Sequence, residues 1–265
     1  MKILSYGGGA DSYAMELDAF DRGELPDMAL FADVGSKAGN DGEWPDTYRH
    51  MLEYAIPQFE RRGVPFVWLT TEMYPIRGRE SLLKYFEETR TMPIRTSRMC
   101  SAAAKIERID RYLKDHHAGK SIEMWIGFEA GEEKRIANDP HAGGATPGRR
   151  NRFPLAERGL CRCLAVKLIR DHGMPVPRKS ACVFCPFSTR GDFQTLSREY
   201  PETFDRVVKM EENCHQTKSG KVMRYSFDGP ALREWIAKPY KRRAIPCGVC
   251  GARERETKET GCGYL

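Results

Sequence analysis

The stretch Ser5-Tyr6-Gly7-Gly8-Gly9-Ala10-Asp11-Ser12 constrains the fold more than any other part of this chain. It follows the apolar pair Ile3-Leu4 and opens a segment in which Ala14, Leu17 and Phe20 recur at helical spacing, so it joins a strand to a helix. Glycines at Gly7, Gly8 and Gly9 let the backbone bend through φ > 0 and leave no side chain to keep an anion away. Backbone N–H groups, the helix dipole and the Ser12 hydroxyl then converge on one point, which is the requirement for holding a phosphate. An ordinary strand-to-helix turn accounts for the glycines alone, so the rest of the sequence has to decide.

Downstream, strand and helix signals alternate. Met28 to Ala32 reads as a buried strand ending at Asp33, a carboxylate at the strand end where open α/β sheets bind ligands. A turn or helix-capping role is the other reading of Asp33. A helix is expected from Asp46 to about Arg62, a strand over 64–70, a helix over 102–117 and a strand from Ile122 to Phe128. This order predicts a doubly wound parallel sheet, Rossmann-like, with its ligand at the C-terminal edge. We divide the chain into a nucleotide-binding α/β domain at 1–180 and a helical, Cys-rich region at 181–265. Residues 137–151, with Gly143-Gly144 and Pro147-Gly148, read as a lid, and Arg149, Arg150 and Arg152 then reach towards an anionic substrate. Further helices are expected over 163–172, 201–215 and 229–237.

The spacing Ser-x-x-Gly-Gly-x-Asp-Ser after the first strand resembles the PP-loop of N-type ATP pyrophosphatases and phosphoadenylyl-sulfate (PAPS) reductases. Gly7 stands where that family commonly has Ser, and Ala10 where it commonly has Lys. The resemblance implies that Ser5, Gly7, Gly8, Gly9, Asp11 and Ser12 bind the nucleotide. The stretch Gly127-Phe128-Glu129-Ala130-Gly131-Glu132-Glu133-Lys134-Arg135 is similar to the family's site rim. There Arg135 is expected on a phosphate or sulfate, and Glu129 and Glu132 on a ribose or Mg²⁺. A polar loop with one salt bridge is the plainer reading.

Nine cysteines in a chain whose first strand starts at once argue for metal, cluster or redox roles in a cytoplasmic protein. No apolar run approaches a membrane span. Cys182 and Cys185 form a C-x-x-C that suits a redox dithiol, half a zinc site or half an iron–sulfur site. Cys100 and Cys163 each stand before or at the start of a helix and complete a set of four. The segments Cys100 to Ile106, Ile126 to Glu132, Phe153-Pro154-Leu155 and Ser180 to Phe187, with the Gly loop, resemble a PAPS-reductase-like branch over about residues 2 to 215. By that resemblance Cys100, Cys163, Cys182 and Cys185 are assigned to a [4Fe–4S] cluster, with zinc or free thiols as alternatives. Cys247 and Cys250, with Cys262, are similar to a zinc knuckle whose fourth ligand is left open between Cys214, His215 and Cys161. The basic run Lys238 to Arg243 beside it is a solvated linker or a nucleic-acid contact.

The net charge of +6 suits anionic partners without identifying one. The reading is an enzyme whose catalytic residues are Asp11, Ser12 and Arg135. It binds ATP with Mg²⁺, adenylylates an acceptor and transfers sulfur with help from the cluster. Reduction of PAPS or a related sulfonucleotide is the alternative, and a non-catalytic nucleotide- or nucleic-acid-binding protein is the rival from another class. The expected partners are an adenine nucleotide, tRNA or DNA as acceptor, and a sulfur-donor or reductant protein, with no membrane.

Overall fold

The computed structural model describes residues 1–36, 39–97, 99–142, 148–214, 222–227, 229–241 and 246–252. Cys262, His215, the Gly143-Gly144 pair and Arg242 and Arg243 lie outside the described residues.

The elements run β1 (Lys2–Ser5), α1 (Ala10–Asp21), β2 (Met28–Ala32), α2 (Pro45–His50), α3 (Ile56–Arg61), β3 (Phe66–Leu69) and α4 (Leu82–Thr89). They continue as α5 (Met99–Ser101), α6 (Glu107–His117), β4 (Ile122–Ile126), α7 (Glu133–Ala137), β5 (Arg149–Arg152) and α8 (Pro154–Glu157). Last come α9 (Arg162–Asp171), α10 (Arg190–Glu199), α11 (Pro201–Asn213) and α12 (Leu232–Ala237). The helix expected from Asp46 to Arg62 is α2 and α3 joined by a π-helical turn over Met51–Ala55. Pro57 explains the turn: it has no N–H to donate to the preceding turn, and the wider winding absorbs the break.

The five strands form one parallel sheet in the order β3-β2-β1-β4-β5. The chain lays β2 and β3 on one side of β1 and then crosses to place β4 on the other. Strand order therefore reverses between β1 and β4, the place where such sheets open a crevice. One face of the sheet packs on α1, α3 and α9 through Leu17, Phe59, Val166 and Ile169. The other carries α6 through Ile109 and Leu113. A second core joins Val34, Trp44, Phe86 and Ala104 to Phe184, Phe193, Phe204 and Leu232, so the last third of the chain is packed onto the loops that follow β2 and β3.

One expectation is corrected here and one helix is added. Arg149, Arg150 and Arg152 form β5, paired in parallel with β4, so the described end of the expected lid, residues 149–151, is strand. Arg149 pairs with Asp110, and Arg152 with Glu157 and Glu24. Helix α10 had no forecast; its start is fixed by a capping box in which Thr189 and Asp192 exchange hydrogen bonds, a signal present in the sequence.

Candidate nucleotide loop and two cysteine groups

The Gly loop sits at the switch point. Gly8 has φ +74, and a Cβ there would stand 2.5 Å from the Thr47 methyl group, so both conformation and space require glycine. Gly127, just past β4, comes so close that its Cβ would lie 3.2 Å from the Ser12 nitrogen and 3.3 Å from the Asp11 carbonyl carbon. The ends of β1 and β4 thus enclose the first turn of α1. Ser12 is buried, and its hydroxyl donates to the Gly9 carbonyl at 2.9 Å.

Asp11 carries one oxygen (Oδ2) on the Arg162 guanidinium at 2.5 Å, while its buried Oδ1 has no hydrogen-bond partner. Burial pushes the Asp11 carboxyl above its usual range, against the pull of Arg162. An unpartnered buried carboxylate oxygen beside a helix N-terminus suits a cation or a donor from a bound molecule. Arg162 went unread in the sequence, although it stands between two cysteines at the start of α9. Its backbone N–H also donates to Glu129 at 3.2 Å, and Gly131 donates to the same carboxylate oxygen at 2.9 Å. Arg135 is bound to Glu132 and lies over the Phe128 ring at 4.0 Å, so the guanidinium expected on a phosphate has protein partners of its own.

Asp33 is a structural hub. Its carboxylate accepts from Tyr48 Oη at 2.6 Å, Trp68 Nε1 at 2.9 Å and the Gly35 N–H at 3.0 Å. Its own carbonyl, together with that of Leu69, accepts from the buried Arg108. Three donors leave the side chain little capacity for a ligand, so the turn reading of this residue is the one the geometry supports.

The cysteines divide into two groups. Cys182 is bridged to Glu43 across an antiparallel contact, Val183 donates to the Gly42 carbonyl at 2.9 Å, and Cys185 N–H closes a turn onto Cys182 at 3.0 Å. Two residues before this pair, Ser180 Oγ donates to the Gly7 carbonyl, and Ser180 Cβ is the nearest atom to a Cβ built on Gly9, at 3.0 Å. The C-x-x-C therefore stands next to the Gly loop. Cys100 packs against the same core as Cys182, and each of Cys100, Cys182 and Cys185 lies within electrostatic reach of the others.

Burial pushes the Cys182 and Cys185 thiols up, as does Glu43, while Lys105 opposes this at Cys182 and Lys179 at Cys185. Lys105 donates to the fully buried Glu43 at 2.8 Å. Desolvation works against the Lys105 charge, yet Glu43 and the two sulfurs outweigh it and hold the ammonium above its ordinary range.

Cys163 does not join this set. Its sulfur lies with those of Cys161, Cys247 and Cys250, all four within 4.8 Å of one another, and among the described residues this is the one group of metal-ligating side chains so closed. The reason is local: Cys161 and Cys163 flank Arg162 at the start of α9, which packs beside α1, whereas Cys182 follows the Pro-rich loop that crosses to Glu43. Burial pushes the Cys161 thiol up to about 12, and the Leu164 and Cys163 N–H groups point back at its sulfur. No helix among the described residues is long and apolar enough to cross a membrane.

No family model and no curated protein matches the sequence. Among solved structures, the chain is similar to the U34-tRNA thiolase NcsA from Methanococcus maripaludis with its [4Fe–4S] cluster, at 15% identity and a TM-score of 0.43, over 100% of this chain and 81% of that one. What the chain is by its own geometry is a five-stranded parallel α/β protein with a glycine loop at its switch point and a cysteine pair beside that loop.

Proposed function

We propose that the chain is a PP-loop enzyme that binds an adenine nucleotide at Gly7 to Ser12, activates an acceptor by adenylylation and delivers sulfur to it. The observation that carries this reading is the contact of Ser180 with Gly7 and Gly9, which sets Cys182 and Cys185 beside the loop. A phosphate chain on the loop meets backbone N–H groups and the α1 dipole, and Ser12 is the hydroxyl at hand. The unpaired Asp11 Oδ1 is the ligand for Mg²⁺, and Arg162 holds the other oxygen still. Magnesium supplies charge neutralisation to the leaving pyrophosphate. An acceptor oxygen attacks the α-phosphorus, the bond to the β-phosphate oxygen breaks and pyrophosphate leaves. A sulfur nucleophile then displaces AMP from the adenylylated carbon.

Cys100, Cys182 and Cys185 are the residues that would hold a [4Fe–4S] cluster. The donors are soft, a cluster spreads its thiolates more widely than a single ion does, and Lys105 and Lys179 offset the negative charge. The cluster supplies a site for the sulfur atom in transit. tRNA and DNA are the acceptor classes that suit a chain of net charge +6.

The test is ATP-dependent pyrophosphate release by anaerobically purified protein with candidate acceptors. Asp11→Asn should abolish it, and the acid limb of the wild-type profile should lie above the ordinary carboxylate range, because Asp11 must lose a proton that burial retains. Sulfite release from PAPS without ATP would favour the reductase alternative, and nucleotide binding without product would favour a binding protein.

A further inference from the structure

We infer that Cys161, Cys163, Cys247 and Cys250 bind one zinc-class ion as four thiolates, and that this ion fastens the C-terminal segment to the start of α9 and thereby fixes Arg162 on Asp11. The inference does not require the loop to bind a nucleotide.

The donor set is four sulfurs in C-x-C and C-x-x-C spacing. Zinc–sulfur bonds of about 2.3 Å place the corners of a tetrahedron roughly 3.8 Å apart, inside the 4.8 Å within which all four sulfurs lie. Soft thiolates exclude magnesium and calcium, and four protein ligands leave no open position, so the ion is structural. Loading converts four thiols and Zn²⁺ into a Zn(Cys)₄ centre of net charge −2 and releases four protons.

The segment around Cys247 has the shape such a centre needs. Its Gly251 follows the second cysteine at φ +69, Gly251 N–H donates to the Cys247 carbonyl at 3.0 Å, and Cys247 N–H donates to the Ala252 carbonyl at 3.1 Å. Among the described residues this tight knuckle buries little else. Its apolar partners are Cys161, Cys163 and Leu164, while Val249 is 46% exposed. Packing of that size does not hold a chain segment in place, and a metal does.

The other half of the site is the first turn of α9. Cys161 is its N-cap and Cys163 its second residue, so the ion grips both neighbours of Arg162. The Leu164 and Cys163 N–H groups are aimed at the Cys161 sulfur, so the first turn of the helix faces the ion with donors. Arg162 then has its backbone N–H on Glu129 and its guanidinium on Asp11. Releasing the ion frees the turn that aims Arg162.

The experiment measures zinc and iron per chain together with hydrogen exchange of the full-length protein. Wild type should hold one zinc that Cys247→Ser and Cys250→Ser lose while iron is retained. Reversible removal of zinc from wild type by a chelator, which needs no variant to fold, should speed exchange at residues 161–165 and 7–12 by about tenfold, within the range usual for coupling between two sites. Zinc should restore the slow exchange. Arg162→Gln should keep zinc and reproduce the faster exchange at 7–12 alone. Full zinc retention in the Cys247→Ser/Cys250→Ser double variant overturns the site. Zinc loss with unchanged exchange at 7–12 overturns the coupling to Asp11. Failure of pyrophosphate release alters neither readout, so the two readings fail separately.

Discussion

The two cysteine groups use the same spacing for opposite ends. Cys247 and Cys250 meet Cys161 and Cys163 in a closed tetrad at the start of α9, whereas Cys182 and Cys185 meet Cys100, beside the Glu43–Lys105 pair and the Gly loop. A closed tetrad saturates an ion and builds structure. A set that is incomplete among the described residues, next to the Gly loop, leaves room for chemistry. A C-x-x-C is therefore half a site, and the other half decides what it does.

The comparison breaks most sharply on metal content. Cys182→Ser with Cys185→Ser should reduce iron to background and abolish sulfur transfer while leaving one zinc per chain, measured by elemental analysis of anaerobic preparations. If zinc is lost as well, the groups are not independent.

A smaller effect is expected from the ion pair that distinguishes the open group. Lys105→Met leaves Glu43, fully buried, without its cation, and should cost about 1–3 kcal/mol in denaturant unfolding and weaken iron retention. Glu43→Gln with Lys105→Met should recover stability without recovering iron. The pair also has a pH signature. Lys105 is held above its ordinary value, so its contribution is complete below about pH 10 and is lost only as pH climbs through the raised value.

The thiols give a milder test. In protein stripped of metal, burial keeps Cys182 and Cys185 protonated past the ordinary thiol range. The unfolded chain ionises first, so stability should fall as pH rises above about 9, by at most ~1.4 kcal/mol per pH unit for each thiol. Iodoacetamide labelling of these two should lag behind that of the exposed Cys250. Metal loading should remove the dependence. The smallest effect belongs to Cys214, at the C-terminal end of α11 against the second core. Cys214→Ser should change neither metal and should move stability by about 0.5 kcal/mol or less.

The sequence by itself determined the alternation of strands and helices, and with it the parallel sheet and the place of the Gly loop. These follow from short-range periodicity and from glycine's access to positive φ, which need no knowledge of distant residues. It also marked Cys100, Cys163, Cys182, Cys185, Cys247 and Cys250 as ligand candidates, with Cys161 as one of three choices for a fourth knuckle ligand. Tertiary structure alone decided the partners. Cys163 lies closer along the chain to Cys182 than to Cys247, yet it joins Cys247, because α9 packs beside α1 while the Pro-rich loop carries Cys182 across to Glu43. For the same reason Arg162 holds Asp11, Arg135 is paired with Glu132, and Asp33 is consumed by Tyr48 and Trp68. A side chain's partners are set by which elements the sheet brings together, and local spacing carries no record of that.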